Sequence, residues 1–169
     1  LLADGHAVRS TLRSLGRARG LYVISAGRPD VDLSAPETIV SFLERTNPDL
    51  VVNAAAYTAV DDAETPAGAR AAWAINAQAV GALAAATRDH GATLVHFSTD
   101  YVFDGVASEH SEDEPPAPLG SYGASKAAGE LAARANARHL VIRTSWLVGE
   151  GRNFVRTMLR LGAERSELG

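Results

Sequence analysis

The stretch from Asn47 to Ala56 reads NPDLVVNAAA and decides the fold class of this chain. Asn47, Pro48 and Asp49 end a helical pattern, because proline disfavours helical geometry in the residue before it. The residues LVVN that follow are mostly apolar and include two valines, as expected of a buried strand. The three alanines after the strand either let a flat ligand approach the backbone or simply pack tightly against a helix.

Further apolar runs and helical patterns alternate on either side of this stretch. The other predicted strands are Leu21–Ser25, Thr93–Phe97 and Leu140–Arg143. The first two predicted helices run from Ala7 to Arg19 and from a Ser34–Glu37 capping box to Thr46. The next two run from Pro66 to His90, with Gly91 as cap, and from Ser121 to Ala137. A last predicted helix ends at about Leu161. Continuous apolar strands alternating with helices predict a parallel sheet that is covered on both faces.

The composition excludes several classes of protein. The formal net charge of −4 over 169 residues argues against a nucleic-acid binder, because phosphate recognition needs a concentrated basic face. The sequence contains no run of about 18 to 20 uncharged apolar residues, so it predicts no membrane helix. Cysteine is absent, and the five histidines lack metal-ligand spacing. We therefore expect no metal ligand set, no membrane or nucleic-acid partner, and a cytoplasmic location.

The strongest chemical signal is the pair Tyr122 and Lys126 in YGASK. Residues four apart lie on one face of a helix, so the phenol and the ammonium point into the same space. An adjacent ammonium favours the phenolate, which predicts a Tyr122 pKa lowered toward working pH and a phenol that donates a proton. Lys126 is the only lysine among 16 basic residues, which indicates either a chemical role for an ammonium at this position or the chance survival of one lysine.

Five strings along the chain resemble the dTDP-4-dehydrorhamnose reductase family of the extended short-chain dehydrogenase/reductase superfamily. They are VNAAAYTAVD (52–61), STDYVFDG (98–105), PLGSYGASK (118–126), RTSW (143–146) and NFVRTM (153–158). STDYVFDG is more specific than YxxxK, since sugar epimerases and dehydratases of the superfamily usually carry SSxxVYG at that strand end. The resemblance extends from about Gly27 to the last residue.

The resemblance implies NADPH-dependent reduction of the C4 ketone of dTDP-4-dehydro-rhamnose to dTDP-L-rhamnose. Tyr122 would protonate the C4 oxygen, Thr99 would hydrogen-bond to it, and Lys126 would tune Tyr122 and bind the nicotinamide ribose. Asp100 and Trp146 would contact the dTDP-sugar together with Thr99. The implied dinucleotide wall is Asp32, Leu33, Ala56, Tyr57, Thr58 and Phe97, beside Tyr122 and Lys126.

The prediction of the cofactor depends on Arg28. It follows the predicted strand Leu21–Ser25, where NAD enzymes often place an acidic residue for the ribose 2′-hydroxyl. Arg28 would instead meet a 2′-phosphate, so we predict NADPH as the cofactor. The alternative is that the Arg28 side chain is simply solvated, in which case NADH stays possible. The sequence leaves open whether Mg²⁺ is bound and whether the protein forms a homodimer.

These features together predict one NAD(P)-binding domain over residues 1–169, a doubly wound Rossmann-type sheet with the start of the substrate-binding part. Family members begin with a strand and a Gly-rich turn that holds the pyrophosphate at a helix N-terminus. The chain opens instead at LLADG, where at most Gly5 corresponds to the turn. We therefore expect the chain to lack its first strand and the C-terminal substrate region.

Two other functions stay open at this point. Relatives of the reductase fold act as non-catalytic, NADP-binding regulatory subunits of the methionine adenosyltransferase beta type, with altered catalytic residues. The presence of Thr99, Tyr122 and Lys126 argues for an enzyme. The second alternative is another sugar-nucleotide reductase or epimerase, and STDYVFDG argues against the epimerase.

Overall fold

A computed structural model describes residues 6–28, 30–148 and 153–164 of the chain. The helices are α1 (His6–Ala18), α2 (Pro36–Thr46), α3 (Pro66–Trp73), α4 (Ala79–Asp89), α5 (Ser121–Ala133) and α6 (Phe154–Glu164). The strands are β1 (Leu50–Asn53), β2 (Thr93–Thr99) and β3 (His139–Thr144). Single 3₁₀ turns cover Asp62–Glu64 and Asp100–Val102, and one π-helical turn, Ala74–Gln78, joins α3 to α4. The segment that corresponds to Gly5 lies outside the described residues.

The three strands form a parallel sheet in the order β1-β2-β3. Val51 lies opposite Leu94, and His96 lies between Asn53 on one side and Val141 on the other. Both connections between strands contain helices, as parallel pairing requires. The α/β class with a parallel sheet is therefore as predicted, and it places the carboxyl ends of all three strands at one edge.

The predicted strand Leu21–Ser25 has no regular secondary structure and pairs with none of the strands that the structure describes. A cavity of about 620 Å³ is lined by this segment and by β1, with α1 and α2 also contributing to its walls. The cavity separates the segment from β1, so the two do not form a ladder. The prediction of a fourth sheet strand was wrong for this part of the chain.

The core lies between one face of the sheet and the helices α2, α4 and α5. Every second residue of β2 is fully buried beneath these helices, while the alternate residues are only partly buried. The largest fully buried apolar side chains of this core are Ile39, Leu43, Val80, Leu83 and Leu94. The sequence predicted a sheet that is covered on both faces. Within the described residues, the second face of the sheet is less buried than this prediction requires.

The predicted Pro66–His90 helix is interrupted by the π-helical turn, which inserts one extra residue into the helical winding. The turn places the side chain of Asn76 in the interior, where it is fully buried. Gly91, after α4, has a φ of 70°, which suits its predicted role as helix terminator. The predicted fourth helix ends at Ala133 rather than at Ala137.

The capping box predicted at Ser34 was wrong. α2 begins at Pro36, its N-cap residue is Ala35, and no side chain caps it. The backbone N–H and the hydroxyl of Ser34 both donate to Asp32 Oδ1, at 2.9 and 2.6 Å. This local Asx-type turn competes with helix capping for the same serine hydroxyl.

No helix in the described part of the chain combines the length and the hydropathy that crossing a bilayer requires.

Two glycines in neighbouring helices allow a matched test of the packing. A Cβ on Gly129 would lie 2.0 Å from the backbone oxygen of Asn76, whereas a Cβ on Gly81 would meet nothing closer than Ala132 Cβ at 3.8 Å. We expect Gly129→Ala to lower the free energy of unfolding by about 1–3 kcal/mol through overpacking. Gly81→Ala should raise it by about 0.5–1 kcal/mol through helix propensity. Urea denaturation of both variants measures the difference, and equal effects would contradict the close contact between α5 and the π-helical turn.

Candidate active site

The polar side chains of the site gather where the strands end. Ala54 to Thr58 follow β1, Ser98 and Thr99 end β2, and Ser145 and Trp146 follow β3. The first turn of α5 supplies Tyr122 to the same edge. The parallel sheet therefore brings three sequence segments and one helix end together, as expected for a ligand site in an open α/β fold.

Thr99 and Tyr122 are neighbours in the site. Both are buried, and the Thr99 hydroxyl is near enough to the Tyr122 phenol to influence its pKa. Thr99 Oγ1 also donates to Asp100 Oδ1 at 3.0 Å and accepts from the backbone N–H of Tyr101 at 3.3 Å. The ring of Tyr101 packs edge-on against the ring of Tyr122, with centroids 5.6 Å apart. The predicted pair of hydroxyls is thus assembled.

The first turn of α5 approaches the Asp100–Val102 turn so closely that position 123 accommodates only glycine. A Cβ on Gly123 would lie 2.2 Å from the backbone oxygen of Tyr101. This contact fixes the helix that carries Tyr122 against the turn that follows Thr99. The relative position of the two hydroxyls is therefore set by backbone packing.

The structure reverses the predicted pKa direction for Tyr122. Burial raises the pKa of the phenol, the neighbouring Thr99 hydroxyl lowers it, and the nearby Asp100 and Tyr101 raise it further. The net change is upward, so the expected lowering by Lys126 was wrong for this structure. Desolvation disfavours the charged phenolate more than the neighbouring groups favour it.

The ammonium of Lys126 is occupied elsewhere. The side chain is only 2 % exposed, and Nζ donates to the backbone oxygen of Phe97 at 2.6 Å. Burial lowers the Lys126 pKa to about 8, while the carboxylate of Glu130 opposes that change. One of the three donors of the ammonium is used by Phe97, and an ammonium can serve further acceptors.

Buried groups around Lys126 define its electrostatic surroundings. His96 is fully buried, and burial together with the Lys126 charge lowers the His96 pKa to about 3, so the ring is neutral. Its Nδ1 lies 3.1 Å from Asn53 Nδ2. The amide can only donate there, so His96 Nδ1 is the acceptor and Nε2 carries the proton.

A buried ion pair lies one turn beyond Lys126. Arg143 of β3 donates to both carboxylate oxygens of Glu130, with Nε–Oε1 at 2.9 Å and Nη2–Oε2 at 2.8 Å. The other side of the guanidinium lies 4.9 Å above the centre of the Phe103 ring. Such fork-like pairing satisfies a carboxylate away from water. The sequence reasoning missed Glu130, although its position four residues after Lys126 was a usable signal.

The predicted cofactor wall is ordered around Tyr57. Its backbone N–H donates to Asn76 Oδ1 at 2.8 Å, and its backbone oxygen accepts from Asn76 Nδ2 at 3.1 Å. Ala55 N–H donates to Asn53 Oδ1 at 3.1 Å, which fixes the start of the same loop. Ala56 and Thr58 flank Tyr57 and are therefore held in place with it. Asn76 was also missed, because one polar residue in an alanine-rich helix carries no periodic signal.

Arg28, Asp32 and Leu33 form a separate group. Arg28 Nε lies 3.4 Å from Asp32 Oδ2, yet its side chain is 77 % exposed. Hydrogen bonds from Ser34 lower the Asp32 pKa most, and Arg28 lowers it further. Leu33 is buried in the core. The guanidinium therefore remains accessible to an anionic group.

Trp146 stands apart from the Thr99–Tyr122 contact. It follows β3, its side chain is 64 % exposed, and its ring stacks on Phe154 with centroids 4.2 Å apart. Asp100, in contrast, bonds directly to Thr99. Of the predicted substrate contacts, the structure joins Thr99 and Asp100, and it places Trp146 at the end of the neighbouring strand.

Residues 3–169 match the family model of the RmlD substrate binding domain. The chain belongs to this family. It is 50 % identical over 149 residues to the dTDP-4-dehydrorhamnose reductase of Burkholderia thailandensis, covering 86 % of this chain and 49 % of the relative. The chain thus spans about half the length of the curated relatives that it matches.

Solved structures of RmlD-family relatives superpose closely on the chain. A dTDP-4-dehydrorhamnose reductase from Clostridium acetobutylicum gives a TM-score of 0.90 at 36 % identity, covering 98 % of this chain and 59 % of the relative. The Bacillus anthracis reductase, solved in complex with NADP, gives 0.88 at 36 % identity, covering 96 % and 58 %. The predicted Rossmann-type class and the predicted family resemblance are both confirmed.

No group of three or more His, Cys, Asp or Glu side chains that could hold a metal ion occurs in the described ranges.

The titration of Lys126 gives a direct test of the site's burial. Because it is the only lysine of the 169-residue chain, ¹⁵N- or ¹³C-labelled lysine gives one side-chain resonance. We expect the Lys126 ammonium to titrate near pH 8 in the folded chain and at about pH 10.4 in the urea-unfolded chain. The unfolded chain then binds more protons between these values, so the free energy of unfolding should rise with pH across that window. A folded-state midpoint above about 10 would contradict the buried position.

Proposed function

We propose that the chain carries the cofactor site and the catalytic residues of an NADPH-dependent reductase that acts on the C4 ketone of dTDP-4-dehydro-rhamnose. The observation that carries the proposal is the burial of Thr99 beside Tyr122, with Lys126 one turn along the same helix as Tyr122. The names of the curated relatives support the same reaction.

Tyr122 is the proposed proton donor. Its raised pKa keeps the phenol protonated at neutral pH, so it can donate a proton to a carbonyl oxygen placed beside it. Thr99 offers a second hydroxyl to the same oxygen, where negative charge develops during reduction. In the structure the single Thr99 proton is donated to Asp100, so the hydroxyl would turn from Asp100 to the substrate oxygen when substrate binds.

The residues of the strand edge fit a nicotinamide dinucleotide. Ser98 Oγ is buried beside Thr99 and has no hydrogen-bond partner among the described residues. Lys126 is proposed to hold ribose hydroxyls with its remaining donors, and Phe97 supports its ammonium. The fixed backbone of Ala56, Tyr57 and Thr58 would form the wall. When bound, NADPH supplies the hydride.

The other predicted functions are less well supported. The relatives named above are reductases, and Thr99, Tyr122 and Lys126 are all present, so a non-catalytic regulatory subunit or an epimerase is not favoured. A single domain over residues 1–169 and a cytoplasmic location belong to the proposal. It assigns no role to Mg²⁺ and does not depend on a homodimer.

Removal of the Tyr122 hydroxyl tests the proton donor. We expect Tyr122→Phe in the complete protein to lower kcat by about 10²–10⁴-fold, because general acid catalysis of this kind is lost. The dissociation constant for NADPH should change little. Tyr22→Phe is the matched control, since that side chain is 92 % exposed. Steady-state kinetics with the 4-keto sugar nucleotide decide the matter, and unchanged turnover in Tyr122→Phe would end the proposal.

Charge reversal at Arg28 tests the cofactor preference. If its exposed guanidinium meets the 2′-phosphate, Arg28→Asp should lower kcat/KM for NADPH about tenfold or more and leave kcat/KM for NADH nearly unchanged. Arg88→Asp makes the same charge change on the exposed surface of α4 and serves as control. No selective loss with NADPH would count against the proposed contact.

A further inference from the structure

We infer that Glu64 is a positioning residue for Tyr122, because its carboxylate caps the amino end of α5 and so sets the place of the phenol. The inference rests on the proposed function, in which Tyr122 is the proton donor. Glu64 belongs to the Asp62–Glu64 turn, a separate element that precedes α5 by 57 positions in the chain.

Both oxygens of the Glu64 carboxylate are used at the end of α5. Oε1 accepts from the backbone N–H of Ser121 at 2.7 Å, and Oε2 accepts from the Ser121 hydroxyl at 3.2 Å. N–H groups in the first turn of a helix have no partner within the helix, and the helix dipole favours a negative charge there. Ser121 is the residue directly before Tyr122, so this cap acts on the turn that carries the phenol.

Gly120 leaves the space that the carboxylate needs. A Cβ at this position would lie 2.7 Å from Glu64 Oε1. The backbone of Gly120 is extended, with φ −127°, so another residue could adopt it without strain. The glycine is thus required by the approach of the carboxylate rather than by its own conformation.

The capping turn is itself held firmly. The Thr65 hydroxyl donates to the backbone oxygen of Asp62 at 2.8 Å, and the Tyr57 hydroxyl donates to the Asp62 carboxylate. Gly68 of α3 lies so close that a Cβ there would be 1.9 Å from the same backbone oxygen. Glu64 is therefore anchored relative to Tyr57, the centre of the proposed cofactor wall.

The same turn also contacts the catalytic side chain. Ala63, the neighbour of Glu64, is fully buried and forms one apolar cluster with Ala72 and Tyr122, against which Tyr57 packs. Tyr122 is thus held by the cap at its backbone and by Ala63 at its ring. Small displacements of a catalytic group reduce the rate strongly, because proton transfer needs a defined geometry.

Three substitutions in the complete protein test the role of Glu64. We expect Glu64→Ala to lower kcat about tenfold or more while the NADPH dissociation constant stays unchanged, because the cofactor wall is not altered. Glu64→Gln keeps an acceptor oxygen for Ser121 and should recover most of kcat. Asp61→Ala removes the same charge from the residue before the Asp62–Glu64 turn, whose side chain caps nothing, and should leave kcat unchanged.

A double-mutant cycle with Gly120→Ala addresses the contact itself. The added Cβ displaces the carboxylate, so Gly120→Ala alone should lower kcat as Glu64→Ala does. In the Glu64→Ala background the same change should have almost no further effect. Thermal melts of all variants identify those that are folded at the assay temperature. If Glu64→Ala does not fold, Glu64→Gln and Gly120→Ala carry the test.

The outcomes separate this inference from the proposed function. Full kcat in Glu64→Ala, additive losses in the cycle, or an equal loss in Asp61→Ala would overturn the positioning role. If Tyr122→Phe is inactive at the same time, only the positioning role fails. If Tyr122→Phe keeps its turnover, the proposed function fails, and the inference fails with it.

Discussion

The amide side chain of Asn76 is the interaction on which the site depends. It is fully buried, its oxygen accepts from the backbone of Tyr57, and its nitrogen donates to the Tyr57 carbonyl and to Ser125 Oγ at 3.0 Å. One side chain thereby joins the loop after β1 to the helix that carries Tyr122 and Lys126. A buried amide with all three bonds satisfied fixes geometry, whereas a partly satisfied one would destabilise the fold.

Burial then determines the chemistry of the titratable groups. The same desolvation raises the pKa of Tyr122 and lowers those of Lys126 and His96, because each neutral form is favoured away from water. The Glu130 carboxylate and the Arg143 guanidinium are joined in this environment by two hydrogen bonds. The site therefore holds a protonated phenol and a lysine that titrates within reach of neutral pH, without phenolate in the resting state.

Local patterns predicted the fold class, the strand β1 and the helix of YGASK. These follow from short-range periodicity, whereas the place of Thr99 beside Tyr122 was expected only from the family resemblance. The unpaired state of Leu21–Ser25 did not follow, because pairing depends on what lies beside a strand. The Tyr122 pKa, the Asn76 bonds and the Glu64 cap were missed for the same reason. Each arises from contacts between residues distant in sequence, which spacing alone does not contain.

The π-helical turn at Ala74–Gln78 has a consequence for the helix as a whole. The extra residue puts the apolar stripes of α3 and α4 out of phase by about 100°. α3 can therefore pack against the Asp62–Glu64 turn and α5, while α4 packs against α2, α5 and β2. Deletion of one residue here would bring the two halves into phase and point Asn76 elsewhere. The register of this helix is consequently more sensitive to a change in length than to a change in side chain.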